Sequence, residues 1–169
     1  MEQSLDKKPE LKDTIQSFFN KNKKKIFLFI SLVIVMTVAL YLWKDNKHKK
    51  NILISEKYTK AQLFLSKNEK EAAAKHYEEI IFNKNEFYSI LALNKILEKN
   101  LENDKKKILE YFNILEKINY SKETSDMIKF KKALYLMKNN EIELSRKLLN
   151  DLIKENSSLK KAAQEIISK

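Results

Sequence analysis

The chain has 169 residues and a formal net charge of +11; it contains no cysteine and no glycine, and Pro9 is its one proline. Without cysteine it can form neither disulfides nor thiolate metal sites, and redox chemistry gives no indication of its compartment. Without glycine it lacks the residues that phosphate-binding loops require. Turns have to be formed by Asn, Ser, Asp and Lys, which favours an all-helical chain over β-hairpins, whose tight turns need positive φ.

The positive charge is carried almost entirely by lysine, and Arg146 is the only arginine. Recognition of base edges and bidentate binding of phosphate depend strongly on arginine, so the charge gives little support to specific nucleic-acid binding. A proteome that favours Lys, Asn and Ile explains the composition more simply. We therefore expect no specific nucleic acid as a partner. A membrane-tethered nucleic-acid binder is the alternative that a salt titration would reveal.

Residues 1–25 are polar and rich in lysine, and we interpret them as a cytoplasmic leader. Leu11, Ile15, Phe18 and Phe19 have the spacing of a short amphipathic helix that lies on lipid headgroups. The neighbouring lysines would strengthen such binding to anionic lipid. The alternative is that Phe18 and Phe19 simply extend the apolar segment that follows.

Residues 26–43 carry no charge and predict a single transmembrane helix. At about 1.5 Å per residue the segment reaches roughly 27 Å, close to the hydrocarbon thickness of a bilayer. Ser31 and Thr37 can bond to carbonyls of their own helix. The residues that we expect to hold the chain in lipid are Ile26, Phe29, Val33, Leu40 and Trp43.

Two other interpretations of this segment are weaker. The core helix of a soluble domain usually keeps a polar stripe, which is missing here. A cleaved signal peptide usually has a shorter leader and a shorter apolar run than this chain. It also has an A-x-A site after the run, and no such arrangement occurs at residues 40–44. An uncleaved signal anchor is therefore predicted. Its orientation stays open, because lysines are equally frequent on both sides and the tighter cluster at 23–25 favours a cytoplasmic N-terminus only slightly.

Residues 44–169 are predicted to form a separate domain of about seven amphipathic helices, each about 12 to 18 residues long. Polar breaks at 66–68, 103–104 and 139–140 separate apolar stripes with helical spacing. Ser121 is expected to cap the fifth helix, and Ser157 and Ser158 to open the seventh. Short breaks between such helices are typical of antiparallel helical hairpins.

Two of the hairpins share an internal repeat. A tetratricopeptide repeat is a helical hairpin of about 34 residues with small residues where its helices approach closely. The small, large, small, large, large pattern occurs twice, 72 positions apart, as Ala61, Phe64, Ala73, Tyr77, Ile80 and as Ala133, Leu136, Ser145, Leu149, Leu152. The hairpin between them, with Ala92 and Ile108, is degenerate. We therefore predict an all-α tetratricopeptide-like array with the seventh helix as a cap; other all-α packings remain open.

No residues are predicted to be catalytic, to bind a cofactor or to hold a metal, and neither an enzyme nor a small-molecule substrate is expected. His48 and His76 are far apart and have no Cys or acidic residues at metal-ligand spacing. His76 is interpreted as a boundary residue. The carboxylates of Glu69, Glu71, Glu78 and Glu79 lie among lysines and are interpreted as a solvated face with i, i+4 pairs.

The chain resembles the YfgM family of ancillary subunits of the SecYEG translocon. The segments that carry the resemblance are the leader QSFFNKN at 16–22, the end of the anchor at 41–43 and FYSILAL at 87–93. The chain departs from the family in being shorter by part of the helical array and in lacking glycine. This departure bears on the extent of any binding groove.

The resemblance implies a single-pass protein of the bacterial inner membrane with a periplasmic domain. Its expected partners are the SecYEG translocon, membrane-anchored periplasmic chaperones and the chains that emerge from the translocon. Such a protein is a scaffold and not an enzyme. The alternative is a tetratricopeptide scaffold for another envelope or inner-membrane assembly, facing the cytoplasm. Tyr88 in the third helix is a candidate partner contact, although a core position is the simpler interpretation.

Overall fold

The computed structural model describes residues 11–168, apart from the side chains of 11–14 and 17. These residues form seven α-helices and no strand, which confirms the all-helical prediction. The helices are α1 (Leu11–Ser66), α2 (Lys70–Phe82), α3 (Tyr88–Glu98), α4 (Lys105–Glu116), α5 (Lys122–Lys138), α6 (Ile142–Lys154) and α7 (Lys160–Ile167). The contacts divide the chain into two units, Met1–Lys49 and Lys50–Lys169. The part of the predicted leader at 1–10 lies outside the described residues.

In the first unit, α1 carries an apolar stretch long enough to cross a membrane, and no other helix among residues 11–168 does. None of that stretch is buried, which argues against the core helix of a soluble domain. Ser31 Oγ donates to the Leu28 carbonyl at 2.8 Å, and Thr37 Oγ1 donates to the Ile34 carbonyl at 2.8 Å. Both hydroxyls are thus satisfied inside their own helix, as predicted.

The helix does not end after the apolar segment. The sequence pattern predicts an anchor and a first amphipathic helix as separate elements, but both lie on α1 (Leu11–Ser66). Since neither proline nor glycine occurs between them, nothing in the backbone forces a break. Asp45 and Lys49 form an i, i+4 ion pair at 2.8 Å within this part of the helix. The described residues therefore contain seven helices in total, and six of them follow α1.

The second unit consists of three helical hairpins and a final helix. Hairpin 1 is formed by residues 54–66 of α1 with α2, hairpin 2 by α3 with α4, and hairpin 3 by α5 with α6. α7 packs against α6. The apolar core falls into a larger cluster from hairpins 1 and 2 with Ile128 of α5, and a smaller one from hairpin 3 and α7. Each hairpin therefore buries its apolar face against its neighbours.

Five helices end in the same way although the chain has no glycine. The second residue after each helix adopts positive φ, which satisfies carbonyls of the last turn. These residues are Asn68 (62°), Lys84 (53°), Asn100 (47°), Asn140 (61°) and Asn156 (52°). Four of the five are asparagine, which tolerates this conformation better than other non-glycine residues. The lack of glycine thus does not keep the chain out of the left-handed region.

Helix starts follow the predicted capping in one case and depart from it in another. The Ser121 hydroxyl accepts a hydrogen bond from the Thr124 N–H at 3.3 Å, which confirms Ser121 as the cap of α5. Ser157 and Ser158 do not open α7, which begins at Lys160 and is shorter than predicted. The Ser157 hydroxyl accepts from the Leu159 N–H at 3.2 Å, so it stabilises a turn before the helix.

Of the four carboxylates predicted to form a solvated face, Glu69 and Glu71 are exposed, but Glu78 and Glu79 pair with other helices and not with residues one turn away. Glu79 pairs with Lys57 of α1 at 2.8 Å, and this hydrogen bond lowers the pKa of the Glu79 carboxyl. Glu78 accepts from the Tyr111 hydroxyl of α4 at 2.9 Å and lies 3.3 Å from Lys107. Both side chains stand at helix–helix contacts, where partners from other helices are closer than those one turn away.

Candidate protein-binding groove

The residues predicted to hold the chain in lipid lie on the apolar stretch of α1. Phe29, Val33, Leu40 and Trp43 are exposed, and Ile26 is half-buried. The ammonium of Lys47 lies 5.8 Å from the centre of the Trp43 ring, which places a cation over an aromatic face at the end of the segment. The segment offers a continuous apolar surface that water solvates poorly.

The residues predicted for close helix packing lie inside hairpins 1 and 3. In hairpin 1, Ala61, Ala73 and Tyr77 are fully buried. Phe64 is partly buried and stacks on the His76 ring at 5.2 Å between ring centres. His76 is therefore a packing residue here, and its Nδ1 is buried without a partner among the described residues.

In hairpin 3 the corresponding residues are Ala133, Ser145 and Leu149, all fully buried, and Leu136, which is 3% exposed. The Ser145 hydroxyl donates to the Ala133 carbonyl at 2.8 Å. This bond satisfies a buried hydroxyl at the place where hairpin 1 has an alanine. Small side chains at these positions allow α5 and α6 to pack closely.

Tyr88, the predicted partner contact, is half-buried against the core and lies between two other aromatic rings. Its ring centre is 5.7 Å from that of Tyr58 and 5.1 Å from that of Phe87. Phe87 is the exposed member of the three, with 63% of its surface accessible. Phe87 is therefore more accessible than the predicted contact Tyr88, which packs against it edge-on.

Two surface depressions lie between α3 and α5. The first has a volume of about 470 Å³ and is lined by residues near the starts of both helices, including Phe87, Ile90, Leu91, Thr124 and Met127. The second has a volume of about 340 Å³ and is lined by residues near their ends, including Asn94, Leu97, Lys131, Leu134 and Tyr135. Since starts meet starts and ends meet ends, α3 and α5 run side by side in the same direction.

The lining residues follow helical spacing on one face of each helix. On α3 the spacing runs from Phe87 to Leu97, and on α5 from Thr124 to Lys138. The two depressions therefore form one continuous surface, called here the α3–α5 groove. Leu134 is 39% exposed in it, so apolar side chains are presented to solvent at both ends of the groove.

A polar bridge crosses the groove inside the second depression, at the end nearer the first. Lys131 Nζ of α5 donates to Asn94 Oδ1 of α3 at 2.6 Å. Burial alone lowers the pKa of the Lys131 ammonium, because no carboxylate lies close enough to offset the loss of solvent. The groove thus combines an apolar lining with one partly desolvated positive charge.

The neighbouring lysines of α5 differ from Lys131 in their partners. Lys129 pairs with the Glu155 carboxylate at 3.0 Å, and Lys132 pairs with that of Glu116 at 2.8 Å. Among the described residues Lys131 forms no ion pair. Its acceptor is a neutral amide, which compensates a buried charge less well than a carboxylate does.

Sequence reasoning did not identify Lys131 or Asn94. The chain has 34 Lys and Arg residues, and composition does not distinguish the lysine that bridges the groove. The available signal was its register, because Lys131 falls on the same helical stripe as Met127 and Leu134. Within residues 11–168, no group of three or more His, Cys, Asp or Glu side chains is placed to hold a metal ion.

Comparison with known proteins gives no assignment: no family model, no curated protein and no solved structure matches the chain.

Proposed function

We propose that the chain is a membrane-anchored, non-enzymatic scaffold that binds other proteins through the α3–α5 groove. The observation that carries the proposal is the groove itself, an exposed surface of apolar and aromatic side chains on two parallel helices. Exposed apolar surface of this kind is typical of protein–protein contact sites. The anchor is residues 26–43, which would hold the groove near other membrane proteins and raise its effective concentration there.

The array is proposed to stack in the manner of tetratricopeptide repeats. In support, the predicted small positions at Ala61, Ala73, Ala133 and Ser145 are all fully buried. The left-handed residues Asn68 and Asn140 recur at the same spacing of 72 positions. Parallel neighbours such as α3 and α5 are what stacked hairpins produce, and such stacks present an extended binding surface.

The resemblance to the YfgM family suggests the place and the partners. Residues 1–25 would lie in the cytoplasm and residues 44–169 in the periplasm of a bacterial inner membrane. The partners would be SecYEG, periplasmic chaperones and emerging client chains. Protease added to spheroplasts should then remove the C-terminal domain. Protection of that domain would favour the alternative, a cytoplasm-facing scaffold of another membrane assembly.

Site-specific photo-crosslinking in intact membranes tests the binding role. A benzophenone side chain at Leu134, which is in the groove, should capture SecYEG components or periplasmic chaperones. The matched control is Leu144, which is 53% exposed on α6 and does not line the groove. Equal capture from both positions would contradict the groove as the binding surface. If Leu134 captures only cell-division or envelope-linking proteins, the partner is another assembly and not the translocon.

A further inference from the structure

We propose that the α3–α5 groove binds an extended acidic peptide whose carboxylate binds Lys131 and Asn94 and whose apolar side chains contact the apolar residues of the two depressions. This inference rests on the proposed function, since it names the kind of chain that the protein-binding surface takes. It commits to an acidic segment of a partner protein as the occupant.

Lys131 has no carboxylate partner among the described residues, unlike its neighbours on α5. Lys129 and Lys132, on the same helix, each have a carboxylate partner, whereas Lys131 donates only to the Asn94 amide oxygen. An ammonium that is partly removed from water without a counter-ion loses solvation that one neutral amide oxygen only partly replaces. A ligand carboxylate would supply the missing charge, so the groove is complementary to an acidic group.

Lys131 and Asn94 both offer hydrogen-bond donors to the groove. Lys131 has three N–H donors, and one of them bonds to Asn94 Oδ1. The Asn94 side-chain NH₂ has no acceptor among the described residues. Donors from both residues therefore lie together at the middle of the groove. A carboxylate has two oxygens, and it can accept from an ammonium and an amide at once.

Glu102 is a candidate for an internal partner of Lys131, but it is bonded elsewhere. Glu102 lines the same depression as Lys131. Its carboxylate is already bonded to Lys107 at 3.1 Å and to the backbone N–H groups of Asn103 and Asp104 at 2.8 and 2.9 Å. These bonds lower the pKa of Glu102, the Asp104 N–H contributing most, so it stays ionised and committed to its own turn.

The groove is long enough for a short extended peptide. From Thr124 to Lys138 it runs roughly 21 Å along α5. This length accommodates about six residues of extended peptide. Lys138 adds a second cation at one end, whereas the exposed Glu86 lies at the other. The acidic residues of the ligand are therefore expected near Lys131 and Lys138, with neutral apolar residues toward Phe87.

The test uses the full chain in nanodiscs of zwitterionic phosphatidylcholine. Three fluorescein-labelled peptides of about eight residues share one apolar sequence of Leu and Phe and differ only at two adjacent positions, which are both Glu, both Gln or both Lys. Fluorescence anisotropy gives the dissociation constants. The Glu peptide should bind about 10- to 100-fold more tightly than the Gln peptide, as expected for hydrogen bonds to charged groups, and the Lys peptide most weakly.

The variants separate the groove from the overall positive charge. Lys131→Met should abolish the preference for the Glu peptide. Lys129→Met removes the same charge from the same helix outside the groove lining and should leave the preference intact. Asn94→Asp places a carboxylate against Lys131 and should also abolish the preference while the protein stays folded. If Lys131→Met proves unfolded by circular dichroism, Asn94→Asp decides the question.

Each outcome has a definite meaning. Loss of the preference in Lys131→Met or Asn94→Asp, with retention in Lys129→Met, supports the proposal. Equal binding of the Glu and Gln peptides, equal loss in Lys129→Met, or no binding of any peptide overturns it. The crosslinking from Leu134 does not depend on these peptides. If Leu134 captures a partner but the peptides show no preference for Glu, the scaffold function stands and the acidic selectivity is wrong.

Discussion

Hairpins 1 and 3 place different residues at the same positions of one repeated framework. Both bury a small pair where their helices meet, Ala61 with Ala73 in hairpin 1 and Ala133 with Ser145 in hairpin 3. A large residue follows four positions later, Tyr77 or Leu149, and both are fully buried. The comparison shows that the framework fixes residue size at a contact and leaves its chemistry free, provided that polar groups find partners.

The surroundings of the two hairpins differ more than their own pattern does. Hairpin 1 shares a continuous cluster with hairpin 2 and Ile128 of α5, whereas the smaller cluster that hairpin 3 forms with α7 consists of Ala133, Leu149, Leu152 and Ala163. Hairpin 2 itself departs from the pattern. The loop between its two helices, residues 99–104, is longer than the loops inside hairpins 1 and 3. Ile108 of α4 is buried. α3 and α4 accordingly approach less closely than α5 and α6.

The largest effect should come from truncating the two large residues. Tyr77→Ala should lower the free energy of unfolding by about 3 to 5 kcal/mol and Leu149→Ala by about 2 to 4 kcal/mol. Tyr77 is expected to cost more because its ring also packs edge-on against Tyr58 at 5.5 Å. Urea denaturation of the full chain in detergent, followed by circular dichroism at 222 nm, measures both. A larger loss of stability from Leu149→Ala than from Tyr77→Ala would contradict this ranking of the two substitutions.

Overpacking tests whether the small positions are equivalent. Ala61→Leu and Ala133→Leu should each lower the free energy of unfolding by about 1 to 3 kcal/mol, because both residues are fully buried at a helix–helix contact. The control is Leu63→Ala on the exposed face of α1, which should change stability little. Two neutral substitutions in the same denaturation experiment would show that the proposed repeat register is wrong.

Alkaline pH should distinguish the hairpins, since hairpin 3 has no tyrosine at the position of Tyr77. Burial raises the pKa of Tyr77 to about 12 from its ordinary value of 10. As pH rises, the Tyr77 hydroxyl therefore loses its proton at a lower pH in the unfolded state than in the folded state. The stability that Tyr77 contributes is complete below pH 10 and is lost as pH rises toward 12.

The substitution Tyr77→Phe should reduce the decline in the free energy of unfolding between pH 10 and 12. It should change stability little at pH 7, because the Tyr77 hydroxyl has no hydrogen-bond partner among the described residues. Denaturation curves at several pH values, compared with Leu149→Met as a control that titrates nothing, provide the measurement. An unchanged alkaline decline would mean that other groups cause it.

The smallest effect concerns the helix ends. Lys84 has φ of 53° where the corresponding residue of hairpin 3, Asn156, has 52°. Since asparagine tolerates the left-handed region better than lysine, Lys84→Asn should raise the free energy of unfolding by about 0.5 to 1 kcal/mol. Asn156→Lys should lower it by a similar amount. A change of the same sign in both variants would contradict equivalence of the two turns.

Local signals in the sequence predicted many of the elements. The breaks at 66–68 and 139–140 coincide with the ends of α1 and α5, and the Ser121 cap is found as expected. The apolar stripe predicted the buried faces because helical spacing places those residues together. The start of α7 and the unbroken α1 were missed, since a serine can stabilise a turn as well as cap a helix and a polar segment without Gly or Pro need not end one.

By itself the sequence determined that the chain is all-helical, that one uncharged segment is long enough to cross a bilayer and that residue size repeats between hairpins 1 and 3. These properties depend on residues close together in the chain. Tertiary structure alone decided that Glu78 and Glu79 pair with other helices and that Lys131 meets Asn94. Such pairs join residues that are far apart in sequence, and only the packing of helices on one another brings them within bonding distance.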